Sequence, residues 1–414
     1  MHETTTTAMP APERQRIPTV DVLRGFALFG ILLVNMEDFS APSGPGLATV
    51  WADTPDRVVS WLLRFAAEGK FRAVFAFLFG LGFALQLRRE REPGGAFAAR
   101  YVRRMAVLLL FGIAHYLLLW EADILSSYAL VGLLLLPFAR QPTSTSLRAA
   151  AILAGLAVMM LSVIVLLATP RAGGPASIPP EKAEVLAVYS HGSYGEVVSY
   201  RARHIGDHFG RIVTTVPMTL MVFLLGLATG KAGLAERPAD HRALLRRLFV
   251  GGLLFGVVAN GIVTVYSSKL MSLPRVARLP IVASYVLGSP VLGLTYLAGL
   301  TLLLLNPFWE ARLRPLAAPG RLALTNYLTQ SVICTTLFYG YGFGWYNRIS
   351  PVAGVGFCLA IFVVQTVLSG WWLRGFRYGP AEWLWRSLTY LRVLPIQGRA
   401  DVGGPPRSGE GLLP

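Results

Sequence analysis

Charge is scarce in this chain: only 14% of its 414 residues are charged, and acids number 22 against 38 Lys and Arg. A composition that is 54% hydrophobic lies outside the range of soluble globular domains and inside that of polytopic membrane proteins. Cysteine is almost missing. Cys334 and Cys358 both fall inside apolar runs, so no disulfide framework is available and the two thiols read as small buried hydrophobes. Histidine is rare too, with 6 residues; His204, Asp207 and His208 share helical spacing but lack a third nearby ligand, so no metal site is expected. No phosphate-binding P-loop, GxGxxG, GxSxG or HExxH element stands in a suitable context, which removes ATP-driven pumping, Rossmann cofactors and soluble-type hydrolase chemistry. The net charge of +16 is spread between apolar runs instead of forming one basic surface. That pattern fits a lipid bilayer as partner and excludes nucleic acid.

Apolar runs of membrane length predict ten helices near 19–37, 71–87, 105–120, 123–139, 149–169, 212–230, 248–266, 282–305, 322–341 and 352–373. The third and fourth, separated by Glu121 and Ala122, read as one tight hairpin with its tip at the surface. Lys and Arg concentrate in 88–104, 231–247, 306–321 and after 373, and positive residues stay on the cytoplasmic side. The expected architecture is therefore an all-α, polytopic helical bundle of about ten transmembrane helices with both termini cytoplasmic, in the plasma membrane. The opening MHETTTTAMPAPERQR is unlike a signal peptide, so the first span is expected to remain as an anchor. Composition predicts disordered tails at 1–15 and 398–414 around a single transmembrane domain, 16–397. Its long outer loop, 170–211, begins PRAGGPASIPP and should end in one or two amphipathic helices on the membrane surface.

Polar residues inside the spans carry the functional argument. The segment RIPTVDVLRGFALFGILLVN holds Asp21, Arg24 and Asn35, although an ionisable side chain at membrane depth costs about 2.5–3.5 kcal/mol on insertion scales. At about 100° per residue, Arg24 and Asn35 project roughly 20° apart and Asp21 about 60° from Arg24. The three form one polar seam, which either fixes the helix end as a local ion pair or lines a polar cavity. In FGIAHYLLLWEADILSSYALVG, His115 ends one helix and Asp123 opens the next, so the two can meet. A histidine oriented by a carboxylate is the usual general base; the plainer alternative is an interfacial His and a dipole-favoured Asp. Lys70 and Arg72, at a helix start facing outward, could hold a phosphate or carboxylate, or simply snorkel. Asn326 and Gln330 lie at i and i+4 with Thr325 and Thr329 beside them, a second stripe suited to substrate contact or to interhelical hydrogen bonds. In GPAEWLWRSLTY, Glu382 and Arg386 are spaced for an i,i+4 ion pair on an interfacial helix anchored by Trp383 and Trp385.

RIPTVDVLRGFALFGILLVN, KFRAVFAFLFGLGF, the GIAHYLLLWEADIL hairpin, GRLALTNYLTQSVICTTLFY and GPAEWLWRSLTY, in this order across 16–392, closely resemble the YeiB-like membrane proteins, defined by a domain of unknown function numbered 418. The Asp-x-x-Arg-Gly pattern with a later Asn is also similar to the start of the transmembrane acyltransferase superfamily, which includes the lysosomal heparan-glucosaminide acetyltransferase type and the acyltransferase-3 proteins. That second resemblance implies a cytoplasmic acyl-CoA co-substrate, no bound cofactor, and an acceptor hydroxyl or amine on the far side. Asp21 and Arg24 would shape the donor channel, and Asn35 would sit by the reacting carbonyl. The acetyltransferase type carries a catalytic His soon after its first span, whereas residues 37–70 contain none, so His115 would have to serve from another helix.

Two activities fit these features. In the first, a membrane acyltransferase, His115 assisted by Asp123 deprotonates a small acceptor while Asn35 binds the oxyanion. In the second, a transporter of a small metabolite, anionic ones included, uses Arg24, Arg72, Asn326 and Gln330 as a midplane site, without the internal repeat common in such folds. A non-catalytic membrane protein follows if the polar stripes merely pair with each other. The sequence fixes no oligomeric state.

Overall fold

Long runs of Leu, Val, Phe and Ala leave the backbone little choice but helix in a bilayer, where every N–H and C=O must be satisfied within the chain. The computed structural model describes residues 17–42, 51, 53–89, 95–167, 180–267 and 273–397; the tails expected at 1–15 and 398–414, and most of the Pro/Gly strip after residue 170, lie outside the described residues. The helices are α1 (Pro18–Ser40), α2 (Thr54–Ala66), α3 (Lys70–Arg89), α4 (Gly95–Leu118), α5 (Leu125–Leu133), α6 (Thr143–Leu167), α7 (Pro180–His191) and α8 (Tyr194–Arg203). They continue with α9 (Ile205–Lys231), α10 (Arg242–Ser267), α11 (Leu279–Leu304), α12 (Pro307–Leu313), α13 (Ala317–Arg321), α14 (Ala323–Phe338), α15 (Pro351–Gly375) and α16 (Pro380–Tyr390). Among the described residues there is no β-strand, only an isolated antiparallel bridge between Phe376 and Gln397.

Among the described residues, eight helical stretches are long and apolar enough to cross a membrane: Pro18–Ser40, Thr54–Arg89, Ala96–Leu118, Thr143–Leu167, Ile205–Lys231, Pro238–Ser267, Val276–Leu304 and Pro351–Gly375. The candidate spans at 123–139 and 322–341 form shorter helices. α5 has 9 residues and gives way to a 3-10 turn at Leu136–Phe138, while α14 has 16. At 1.5 Å per residue they cover about 14 and 24 Å, less than the roughly 30 Å of hydrocarbon. Each buries one face in the bundle, Leu125 to Ala129 on α5 and Asn326, Gln330, Ser331 and Cys334 on α14, while Leu134, Val332 and Ile333 are exposed. α6 and α10 instead turn Ile152, Met159, Leu254 and Val258 outward, as lipid-facing helices do.

α1 runs through the centre of the bundle against α3, α13, α14 and α15. Its Asp21-x-x-Arg24-Gly25 motif acquires a packing role here. Gly25 and Gly320 face each other so closely that a Cβ on the first would overlap the Leu316 carbonyl, and one on the second the Asp21 carbonyl.

Buried carboxylates start the helices. The first backbone N–H groups of a helix have no internal acceptor, and Asp56 of α2 accepts one from Val352 at the start of α15, at 3.0 Å. Glu382 does the same for α14, accepting from Leu324 N at 2.7 Å, Thr325 N at 3.1 Å and the Thr325 hydroxyl. This replaces the Glu382–Arg386 pair expected from spacing: the orphan donors of α14 hold the carboxylate more firmly than a half-buried cation one turn away, and Arg386 lies over the Tyr378 ring. Burial pushes the Glu382 carboxyl above its usual range, and the donors from Thr325 and Leu324 pull against that shift. Glu382→Ala should cost about 3 kcal/mol, because it strands two buried N–H groups. Thermal unfolding in detergent should show that loss, with Glu382→Gln much milder since its amide oxygen still accepts.

Candidate active site

The sharp turn between α4 and α5 brings the fourth candidate span back beside the third. Gly112 permits this, since a Cβ there would overlap the Ser126 backbone nitrogen and stand 2.9 Å from Asp123 Oδ2. Asp123 then receives three N–H groups: Leu125 N at 3.0 Å, Ser126 N at 2.7 Å and His115 Nδ1 at 3.0 Å. With both carboxylate oxygens committed to donors, Asp123 fixes the His115 tautomer with the proton on Nδ1 and leaves Nε2 as an acceptor. Facing Nε2, at 2.8 Å, is the hydroxyl of Ser331 on α14. Asp123, His115 and Ser331 form a continuous relay from the α4–α5 turn through α4 to α14.

Ser331 escaped the sequence reading. A single serine inside an apolar helix ordinarily bonds back to its own turn, and Ser331 does make such a contact, with the Tyr327 carbonyl at 3.4 Å. Nothing local links it to a histidine 216 positions away. The relay is sealed: the side chains of His115 and Asp123 have no exposed surface and Ser331 is 0% exposed. Around it stand Tyr327, its ring centroid 5.0 Å from that of His115, and Trp120 at 6.3 Å. Trp120 stacks on Phe39 of α1. The Trp120 indole N–H and the Ser126 hydroxyl are buried without a hydrogen-bond partner. Cys334, one turn beyond Ser331, is also fully buried.

The hairpin tip, expected at the surface, is covered. The outer loop forms two helices, α7 and α8, that close over it, because the α4 C-terminus offers carbonyls that need donors. Arg201 of α8 reaches the Leu117 carbonyl, Tyr194 the Leu118 carbonyl, and Tyr116 in return donates to the Arg201 and His204 carbonyls. Arg201, 0% exposed, lies between the rings of Tyr189 and Tyr339, and Tyr189 donates to Glu121 at 2.5 Å. Burial and the neighbouring Glu121 carboxylate raise the Tyr189 phenol well above its usual range, so it remains a donor. His204 is tied to the Tyr200 carbonyl and His208 stacks on Tyr116.

The other sequence-derived candidates are placed as follows. Asp21 and Arg24 form a partly exposed ion pair at 3.4 Å near the start of α1. Asn35 is buried on α1, one turn before Phe39. Lys70, buried, donates to the Arg64 carbonyl at the end of α2, whereas the Arg72 side chain is exposed. Those two cations do not converge. Asn326 donates to Ser369, Gln330 to Gln365, and Gln365 to the Asn326 carbonyl and Thr329, a hydrogen-bonded zipper between α14 and α15.

Residues 229–392 match the family model "Protein of unknown function (DUF418)". That segment contains Ser331 and Glu382 but stops short of the His115 hairpin. Relatives extend over nearly everything: "Uncharacterized protein YxaH" of Bacillus subtilis (strain 168) is 34% identical across 95% of this chain and 99% of its own length. "Uncharacterized protein YeiB" of Escherichia coli (strain K12) is 33% identical across 92% of this chain and 98% of its own.

Proposed function

The chain belongs to the YeiB-like DUF418 family of membrane proteins, and we propose that it is an acyltransferase of the plasma membrane, moving an acyl group from acyl-CoA to a small hydroxyl or amine acceptor. One observation carries this reading: the buried contact of His115 Nε2 with a hydroxyl at 2.8 Å, backed by Asp123 on Nδ1. That is the arrangement in which an imidazole takes a proton from an O–H as the oxygen attacks a carbonyl, with the carboxylate stabilising the imidazolium. Asn35, buried on the helix whose Phe39 stacks on Trp120, and the Trp120 indole N–H, buried without a partner, are assigned to the oxyanion. In this reading the start of α1, with the Asp21–Arg24 pair, faces the cytoplasm, where an anionic thioester donor would meet the positive surface. Because the relay is sealed, turnover requires α7 and α8 to part from the hairpin, or α14 to shift, on each cycle.

Purified protein supplied with radiolabelled acetyl-CoA and a panel of amino sugars, sugars and polyols is expected to release free CoA and labelled acceptor. If no acceptor in the panel and no acyl chain length gives transfer above the rate in empty micelles, the reading fails.

A further inference from the structure

The proposed transfer leaves open which hydroxyl His115 serves first. We infer that Ser331 itself is acylated, so that transfer proceeds through an acyl-serine on α14; this rests on the acyl-transfer reading and adds a covalent intermediate to it. The Ser331 Oγ already occupies the position that a general base needs, 2.8 Å from Nε2, with the base oriented from behind by a carboxylate that is itself held by two backbone N–H groups. A nucleophile, a base and an orienting acid within hydrogen-bond reach are the geometric signature of covalent catalysis. A purely structural serine would have no use for so complete a set, because its hydroxyl can be satisfied by the Tyr327 carbonyl of its own helix. Nor is the surrounding polarity balanced. The Trp120 indole N–H and the Ser126 hydroxyl are buried and unpartnered in the shell of the relay, and an unsatisfied buried donor costs roughly 1–3 kcal/mol. Donors left bare around His115 and Asp123 are available for a polar atom of a bound acyl group.

In the first half-reaction Ser331 Oγ bonds to the thioester carbonyl carbon while its proton passes to His115 Nε2. The carbon–sulfur bond breaks, and the leaving thiolate takes that proton to become free CoA. In the second half the acceptor oxygen or nitrogen attacks the serine ester and gives its proton to Nε2. The ester bond then breaks and Ser331 Oγ recovers the proton, so the relay returns to its starting state with no other reactant. Ser331 sits about 12 Å along α14 from its start, deep enough for donor and acceptor to approach from opposite ends.

The test is incubation with radiolabelled acetyl-CoA without acceptor, followed by peptide mass spectrometry. Wild-type protein is expected to carry an acetyl ester on Ser331. Ser331→Ala should lose the label and the turnover while remaining a monodisperse helical species, and His115→Ala should slow labelling by about 10²–10⁴-fold. Ser331→Cys should still trap the acyl group, as a thioester. A fluorophosphonate probe provides a readout that needs no acyl donor: it should modify Ser331 in wild-type protein and spare it in His115→Ala. Turnover at the wild-type rate in Ser331→Ala, or turnover without a Ser331 adduct under rapid quenching, overturns the covalent step while leaving acyl transfer standing. Fluorophosphonate labelling without any transfer from acyl-CoA overturns the acyl-transfer reading, and with it this intermediate.

Discussion

His115→Ala is expected to lower acyl transfer by about 10²–10⁴-fold, the range for removal of a positioned general base, while the protein still purifies as a monodisperse helical species. The effect should be this large because no neighbouring group can stand in. The ring bridges Asp123 and Ser331, which lie on different elements and have no contact with each other in its absence. Asp123→Asn provides the sharper control. The amide keeps the shape and can still accept a backbone N–H from the start of α5, but it no longer stabilises the charge that develops on the imidazole. Its rate should fall by a similar factor with little loss of fold. Initial rates in detergent, read beside thermal unfolding curves, separate the two contributions. A His115→Ala protein that turns over within threefold of wild type would remove the relay from the chemistry.

Gly25→Val and Gly320→Val should be worse for the molecule than any change at the relay. Each added side chain would collide with backbone of the opposing segment and not with a movable side chain. The overlap must be relieved by separating α1 from α13 at a cost of about 3 kcal/mol or more. Since α1 also packs on α3, α14 and α15, displacement there spreads through the bundle. The expected outcome is aggregation on extraction, visible as loss of the monodisperse peak in size-exclusion chromatography. Gly155→Ala and Gly370→Ala, where a Cβ meets nothing within 4 Å, should extract normally and gain up to about 1 kcal/mol from helix propensity.

The bundle was largely readable from composition because hydrocarbon imposes one rule on every residue it touches. Runs of membrane length located the long helices, and the His115–Asp123 pairing was visible since a two-residue gap between apolar runs forces a hairpin. The limits of that reading are equally physical. α5 and α14 are short, yet their flanking residues are apolar enough to mimic full spans; only the folded chain shows where each helix ends. Glu382 followed a local spacing rule toward Arg386, while the tertiary fold offered it two bare N–H groups 57 and 58 positions away. Ser331 had no local signature at all. Its partner comes from a different helix pair, so its significance exists only once α4 and α14 are side by side. The Asn326–Gln330 stripe was legible as polar, but whether it meets substrate or Gln365 and Ser369 depends on how α15 is rotated.

The burial of Cys334 gives the wild-type chain a built-in reporter. Its thiol lies one turn outward from Ser331 on the same helix and has no exposed surface. A water-soluble maleimide can reach it only when the helices packed around α14 part. The rate at which untouched protein acquires that adduct therefore clocks each opening, and an acceptor that wedges the gate ajar would announce itself by speeding the alkylation before any product is identified.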